Sequence, residues 1–300
     1  MSSLTRDQQI QIIAALTEGM SIRATERLTG IHRDTIMRLG ARVGRGCAEL
    51  HDRMTVGIRS GRLELDEIWG YVGQKQKNVL RHEIPVKGDQ YTFIALSSST
   101  KAIVSYRTGK RDSDNTQEFL HDLRDRVLGN PEISTDGFLP YRNAIRDAFG
   151  NRTAHGVITK TYSVTHLVKE AQGRYSPAAV VAVEREVVSG IPANISTSYV
   201  ERQNLSLRMG QRRFTRLTNG FSKKLAHHEA AVCLYVCHYN LCRVHEALRT
   251  TPAFALDIAD RVWTIGDLVD AALAALPSAP PNDTAPDRRC RFRVIQGDKK

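Results

Sequence analysis

Residues 63–72 read Leu-Glu-Leu-Asp-Glu-Ile-Trp-Gly-Tyr-Val, aromatic and aliphatic enough for the interior of a β-sheet. An aspartate stands in the middle of that run. Strands reject Asp, and an ionised carboxylate is rarely buried without a partner or a metal. Asp66 therefore needs a reason to be where it is. Either it lies at a strand edge paired with an arginine, or it holds a divalent cation together with acidic residues brought in from elsewhere in the chain. Asp136, at the end of a short apolar strand, and Glu201, at the start of a helix, are the candidates for company.

The chain has 300 residues, 41% of them hydrophobic, enough for one large domain with appendages or for two domains. Its formal net charge is +11. That excess points to a polyanionic partner, a nucleic acid before a membrane. The N-terminus lacks the apolar core of a signal peptide, and no apolar run reaches the length of a bilayer span. The five cysteines, Cys47, Cys233, Cys237, Cys242 and Cys290, are odd in number and form no Cys-x-x-Cys pair. They suit a reducing, cytoplasmic setting. Cys233 and Cys237 share a helix face, but in apolar surroundings, so they read as core thiols rather than zinc ligands.

Along the chain, residues 1–45 read as a small all-α domain of three short helices, at 6–18, 21–29 and 33–43. Ser21 serves as an N-cap and Gly30 makes the turn. Helix, glycine turn, helix is the helix-turn-helix layout, although any three-helix bundle would also satisfy it. Ile36, Leu39 and Val43 point inward on the third helix. Arg33, Thr35, Arg38 and Arg42 point outward, where a recognition helix contacts bases and phosphates. Glu26 is unusual for such a motif. A charged connector follows at 46–62. Strands are expected at 63–72, 90–98 and 102–108, with a basic loop at 73–89 containing Lys75 and Lys77. A helix at 115–128, a strand at 132–136, a helix at 141–149 and a strand near 156–163 complete an α/β body. That order matches a ribonuclease-H-like core, a mixed five-stranded sheet with flanking helices, in which the first and fourth strands are neighbours. The core spans 63–258, with a poorly readable insertion at 164–196, a helix from about 199, and a packed helix at 222–243. A last helix at 259–276 and a flexible basic tail at 277–300 follow.

Phosphodiester cleavage at neutral pH needs a hard Lewis acid and an activated nucleophile. Two Mg²⁺ about 4 Å apart provide both, with Mn²⁺ as the usual substitute. Asp66, on a rigid central strand, is the expected bridging ligand, flanked by Asp136 and Glu201. Two plainer readings compete. Asp136-Gly137 is an ordinary turn dipeptide, and Ser198-x-x-Glu201 matches a capping box. The surroundings of Glu201 favour chemistry. From Arg202 to His228 there is no acid, and Arg202, Arg208, Arg212, Arg213, Arg216, Lys223 and Lys224 are all basic. On a helix, Glu201, Leu205, Arg208 and Arg212 share one side, which suits a DNA backbone leaving an active site.

Three segments resemble the transposases of the insertion-sequence-one family. Asp-Glu-Ile-Trp-Gly-Tyr-Val-Gly-Gln-Lys-Gln-Lys-Asn (66–78) is similar to the first-carboxylate motif and Ser-Thr-Asp-Gly-Phe (134–138) to the second. Ser-Thr-Ser-Tyr-Val-Glu-Arg-Gln-Asn-Leu-Ser-Leu-Arg-Met (196–209), running into 212–219, is similar to the third. Residues 238–248 with Thr-Pro-Ala (251–253) resemble the tail common among transposases and integrases with an acidic triad. The resemblance covers roughly residues 5–265. It implies a triad of Asp66, Asp136 and Glu201, dependence on Mg²⁺, and roles for Asn204 and Arg208 near the site. It also implies binding of double-stranded DNA, both element terminal inverted repeats and target, by a homo-oligomer in a bacterial, nucleoid-associated setting. No N-terminal zinc-finger cysteine pattern is present, so contacts to the element ends fall to the helix-turn-helix. The expected activity is cleavage at the ends of an insertion element and transfer of the 3′-hydroxyl ends into target DNA. A nuclease of the same fold that never joins, or a non-catalytic regulator using residues 1–45, are the rivals.

Overall fold

A computed structural model describes residues 4–83, 85–162, 180–215 and 218–276. The expectations for 163–179, for Arg216 and for the tail at 277–300 lie outside these residues. The strands are β1 (Arg62–Val72), β2 (Gly88–Ser97), β3 (Ile103–Gly109), β4 (Glu132–Thr135), β5 (His155–Tyr162) and β6 (Val180–Ser189). They form one mixed sheet in the order β3-β2-β1-β4-β5-β6. The expected five-stranded sheet thus has a sixth strand, β6, antiparallel to β5 and lying within the stretch that read as an insertion. β1 and β4 are neighbours, as expected, and run parallel. Their pairing covers only Arg62–Glu64 against Glu132–Ser134, after which the two strands part.

Period-two alternation along β1 and β2 sends apolar side chains to both faces of the sheet. Leu63, Leu65, Phe93, Ala95 and Val104 meet Phe119, Leu120 and Leu123 of α4 (Ser113–Arg126) and Tyr141, Ile145 and Phe149 of α5 (Pro140–Phe149). On the other face Ile68, Ile94, Leu96 and Ile103 meet α6 (Ser198–Gly210) through Val200 and Leu207, and α7 (Leu225–Cys237) through Val232, Tyr235 and Val236. The result is helix, sheet, helix, with a central strand buried on both sides.

The N-terminal helices are α1 (Arg6–Thr17), α2 (Ile22–Thr29) and α3 (Arg33–Met54). Thr5 caps α1 in a capping box with Gln8, Ser21 caps α2, and Gly30 ends α2 in the left-handed conformation at φ 70°. Glu26 has a structural explanation: its side chain accepts the backbone N–H of Arg33 at 2.9 Å, one of the unpaired donors at the start of α3. The third helix is twice its expected length. It runs to Met54, so most of the expected connector is helical, because apolar residues recur at helical spacing through Cys47 and Leu50. That extension packs on α7 and on α9 (Ile265–Ala275), and one core joins Ile12, Ile13, Ile36, Val43, Cys47, Leu234, Leu268 and Val269. The helix read at 222–243 spans only α7, ending in a π turn at His238–Cys242, before a short helix α8 (Pro252–Ala255). Cys233 and Cys237 are buried in this core, and Cys237 Sγ donates to the Cys47 carbonyl at 3.1 Å. Among the described residues no cysteine belongs to a metal-ligating cluster. No helix there is long and apolar enough to cross a membrane.

The extension of α3 depends on two glycines. A Cβ on Gly44 would stand 2.1 Å from the carbonyl oxygen of Ala230 in α7, and one on Gly46 would stand 1.9 Å from that of Ala272 in α9. Ala ordinarily favours an exposed helix over Gly by about 1 kcal/mol. At Gly46 the clash reverses the sign, so Gly46→Ala costs about 1–3 kcal/mol in urea unfolding. Gly61→Ala, at a position with open space around it, serves as the neutral control.

Candidate active site

The parting of β1 and β4 opens a crevice at their carboxyl ends, the place where open α/β sheets hold ligands. Asp66 lies two residues beyond the last paired residue of β1, and Asp136 follows the last residue of β4. On a regular strand Asp66 and Glu67 would point to opposite faces. With no neighbour beside this stretch of β1 on the β4 side, both reach the same opening. Carboxylate oxygens of Asp66, Glu67 and Asp136 all lie within 4.8 Å of one another. The cleft they floor has a volume of about 380 Å³, and Lys160, Glu201, Asn204 and Arg208 also line it.

Each carboxylate has a fixed place. Asp66 accepts a hydrogen bond from Asn204 Nδ2 at 2.8 Å, which ties β1 to α6. Glu67 accepts from the Tyr141 hydroxyl at 2.9 Å and from Arg111. Asp136 accepts the Phe138 N–H at 3.0 Å, so the turn reading of Asp136-Gly137 holds alongside its place in the cluster. Arg111 reaches Asp136 at 3.5 Å as well, and its guanidinium sits 3.9 Å over the Phe138 ring. Burial, then the charges of Glu67 and Asp136, push the Asp66 carboxyl up to about 7. Burial and Asp136 raise Glu67, with Arg111 and Tyr141 opposing them.

Glu201 stands on the first turn of α6, on the wall of the cleft rather than in the three-carboxylate cluster. It pairs with Lys160 of β5 and accepts from Thr197 Oγ1 at 2.6 Å. The capping-box reading of Ser198 and Glu201 does not describe this helix. Its N-terminal donors are taken by a different residue: Glu64 accepts the Tyr199 N–H at 2.8 Å and the Val200 N–H at 3.1 Å, while its other oxygen accepts from Ser98 Oγ. Glu64 is fully buried near the start of β1. Burial raises its carboxyl, and the two backbone N–H groups pull the other way. One strand thus carries Asp66 and also clamps the helix that bears Glu201 and Asn204.

The remaining sequence candidates are spread over the surface. Arg33, Arg38 and Arg42 are exposed on α3, with Thr35 half-buried. Lys75, Lys77, Arg212, Lys223 and Lys224 are exposed. Arg208 faces the cleft. Arg213 turns inward instead, donating to Ser222 Oγ at 2.9 Å. Sequence reading missed Glu64, Glu67, Arg111, Tyr141 and Lys160. The signal for Glu67 was its adjacency to Asp66, which strand periodicity argued against.

The donor set is entirely hard oxygen, the type that holds Mg²⁺ or Mn²⁺. Asn204 adds an Oδ1 that is buried without a hydrogen-bond partner. The crowding that raises Asp66 is relieved by a cation. The residues present therefore fit a divalent metal.

No protein-family model matches the chain. No curated protein matches it either. Among solved structures, a likeness is found to the cryo-EM structure of a piggyBac transposase synaptic complex with hairpin DNA. The identity is 11% and the TM-score 0.36, covering 92% of this chain and 73% of that one.

Two outcomes follow from the electrostatics and from the clamp. A carboxyl whose folded pKa lies near 7, against about 3.9 for a free aspartate, binds its proton in the folded state first. Stability therefore falls as pH rises from about 4 to 7. In chelator, Asp66→Asn raises the melting temperature at pH 7.5, by about 2–4 °C per kcal/mol regained, and gives no gain near pH 4. Glu64→Ala strands the buried Val200 N–H and the part-buried Tyr199 N–H and costs about 1–3 kcal/mol in denaturant unfolding, whereas Glu64→Gln, keeping one acceptor oxygen, costs less.

Proposed function

We propose that the protein is a metal-dependent DNA transposase with a ribonuclease-H-like core. Its activity is cleavage of element ends followed by strand transfer. The observation that carries this reading is the meeting of the Asp66, Glu67 and Asp136 carboxylates at the carboxyl ends of two parallel strands, with Glu201 opening on the same cleft. The strand order with β1 central and β4 beside it supports the ribonuclease-H-like assignment. So do the motifs around residues 66, 136 and 201, which resemble those of the insertion-sequence-one family.

In this reading Asp66, Asp136 and Glu201 would hold two Mg²⁺, with Glu67 a fourth acid in the same cleft. When bound, divalent cations supply Lewis acidity to a phosphodiester and make water a stronger nucleophile at neutral pH. Asn204 orients Asp66, and Glu64 fixes the start of α6 so that Glu201 faces the cleft. Arg208 and Lys160, on the cleft wall, are placed to hold phosphate oxygens. Water cleaves the phosphodiester at the element end and leaves a 3′-hydroxyl. That hydroxyl then attacks a target phosphodiester, forming a new bond as the target's own 3′ oxygen departs. Phosphate and base contacts along the duplex fall to Arg33, Thr35, Arg38 and Arg42 of α3 and to Lys75, Lys77, Arg212, Lys223 and Lys224. Two ends held together require at least a dimer.

The test is an assay of cleavage and joining on labelled element-end DNA with Mg²⁺ or Mn²⁺. Asp66→Ala, Asp136→Ala and Glu201→Ala are each expected to reduce both products by about a thousandfold or more while retaining DNA binding. Cleavage without joining makes the protein a nuclease. Binding without chemistry in either metal makes it a regulator and removes the catalytic role of the triad.

A further inference from the structure

The face of β1 that carries Glu67 continues outward through Trp69 and Tyr71, every second residue of the strand. Beyond the point where β4 leaves, another segment takes its place. Val72 bridges in parallel to Ser222, and the Gly73 N–H donates to the Ser222 carbonyl at 2.8 Å. This brings Phe221 onto the same face. Tyr71 and Phe221 stack with ring centroids 4.6 Å apart and planes 27° apart, and Trp69 lies 5.8 Å from Tyr71 at 32°. All three rings are partly exposed. The row begins one side-chain position from Glu67, about 7 Å along the strand, at the edge of the acidic cleft.

Cations surround the outer end of the row. Lys223 Nζ sits 3.5 Å over the Phe221 ring. Gly73 has no side chain, and a Cβ there would stand 3.2 Å from Lys87 Cγ, so the Lys87 stem crosses the strand end. Lys75 and Lys77 are exposed in the loop that follows. Flat, half-wet rings interleaved with lysines suit nucleotides whose bases stack on the rings while their phosphates meet the cations. Paired bases inside a duplex are stacked on one another and offer no free face. Unpaired bases do.

We infer that Trp69, Tyr71 and Phe221 form a stacking platform for unpaired DNA bases beside the cleft, with Lys223, Lys75 and Lys77 holding the phosphates. This rests on the DNA-processing reading above: an opened strand end leaving the acidic cluster runs onto the rings, which hold it in register with the carboxylates. The platform is a binding device, and it operates without metal or chemistry.

The test uses the full chain in chelator, with a short DNA duplex carrying an unpaired overhang and the same duplex blunt-ended. By fluorescence anisotropy the overhang is expected to bind about tenfold more tightly. Trp263→Phe leaves Trp69 as the sole tryptophan, and its emission is then quenched by the overhang and not by the blunt duplex. Tyr71→Leu and Phe221→Leu remove the overhang preference while leaving blunt-duplex affinity within about twofold, and Trp69→Phe, which keeps a ring, retains most of the preference. Equal affinity for the two DNAs in the unsubstituted protein overturns the platform, as do substitutions that weaken both equally or neither. No metal is present, so a protein that proves unable to cut or join still shows the preference if the platform is real. An active protein without the preference overturns the platform alone.

Discussion

Three paired residues decide the chemistry of this molecule. β1 and β4 are hydrogen-bonded only from Arg62 to Glu64, and everything chemical begins where that ladder stops. A longer pairing would set the β4 backbone between Asp66 on one face and Glu67 on the other and keep the two carboxylates apart. Because the strands part, side chains from both faces bend into one opening, and a third arrives from the end of β4. The backbone groups released by the split are partly taken up by Ser222, so the gap is closed on one side by a loop and left open on the other.

The opening is crowded with like charge, and the fold offsets this with its own cations. Arg111 bridges Glu67 and Asp136, and Lys160 pairs with Glu201. The cost of gathering acids is thereby reduced, though not removed, as the raised Asp66 carboxyl records. Rigidity comes from behind. Glu64, two residues before Asp66 and on the same face, takes the first N–H groups of α6 and so fixes two groups with one strand. Helix N-termini attract negative charge, and here a buried carboxylate substitutes for the usual local cap.

Much of this was legible in the residues. The apolar run around Asp66 named the central strand, and the order of elements named the neighbour of β1. Period and caps located α1, α2, α4 and α5. What escaped depended on long-range geometry. Glu67 was missed because alternation sends it to the face opposite Asp66, and only the gap beside β1 lets carboxylates from the two faces meet. Glu64 was invisible because its partners lie about 135 residues away in sequence. Glu201 was placed correctly at a helix start, but its bond to Lys160 could not be read from either segment. Arg213 belonged to a basic run that looked uniformly outward, and only tertiary packing turned it toward Ser222. β6 was lost because its valines face solvent on both sides, so it carries no inside-outside pattern.

The seam between the two ends of the described chain bears on how the protein is made. Arg6 at the start of α1 forms a two-pronged ion pair with Asp270 of α9, and both helices line the core that α3 crosses. During synthesis, α1 leaves the ribosome well before α9, the wall that completes its burial, which emerges more than two hundred residues later. The basic face of α3 is therefore mounted on a finished scaffold only once translation has passed the whole sheet. A nascent chain cannot seat α3 fully before the strands of its cleft exist, and a message cut short upstream of residue 265 would yield protein with that helix unsupported.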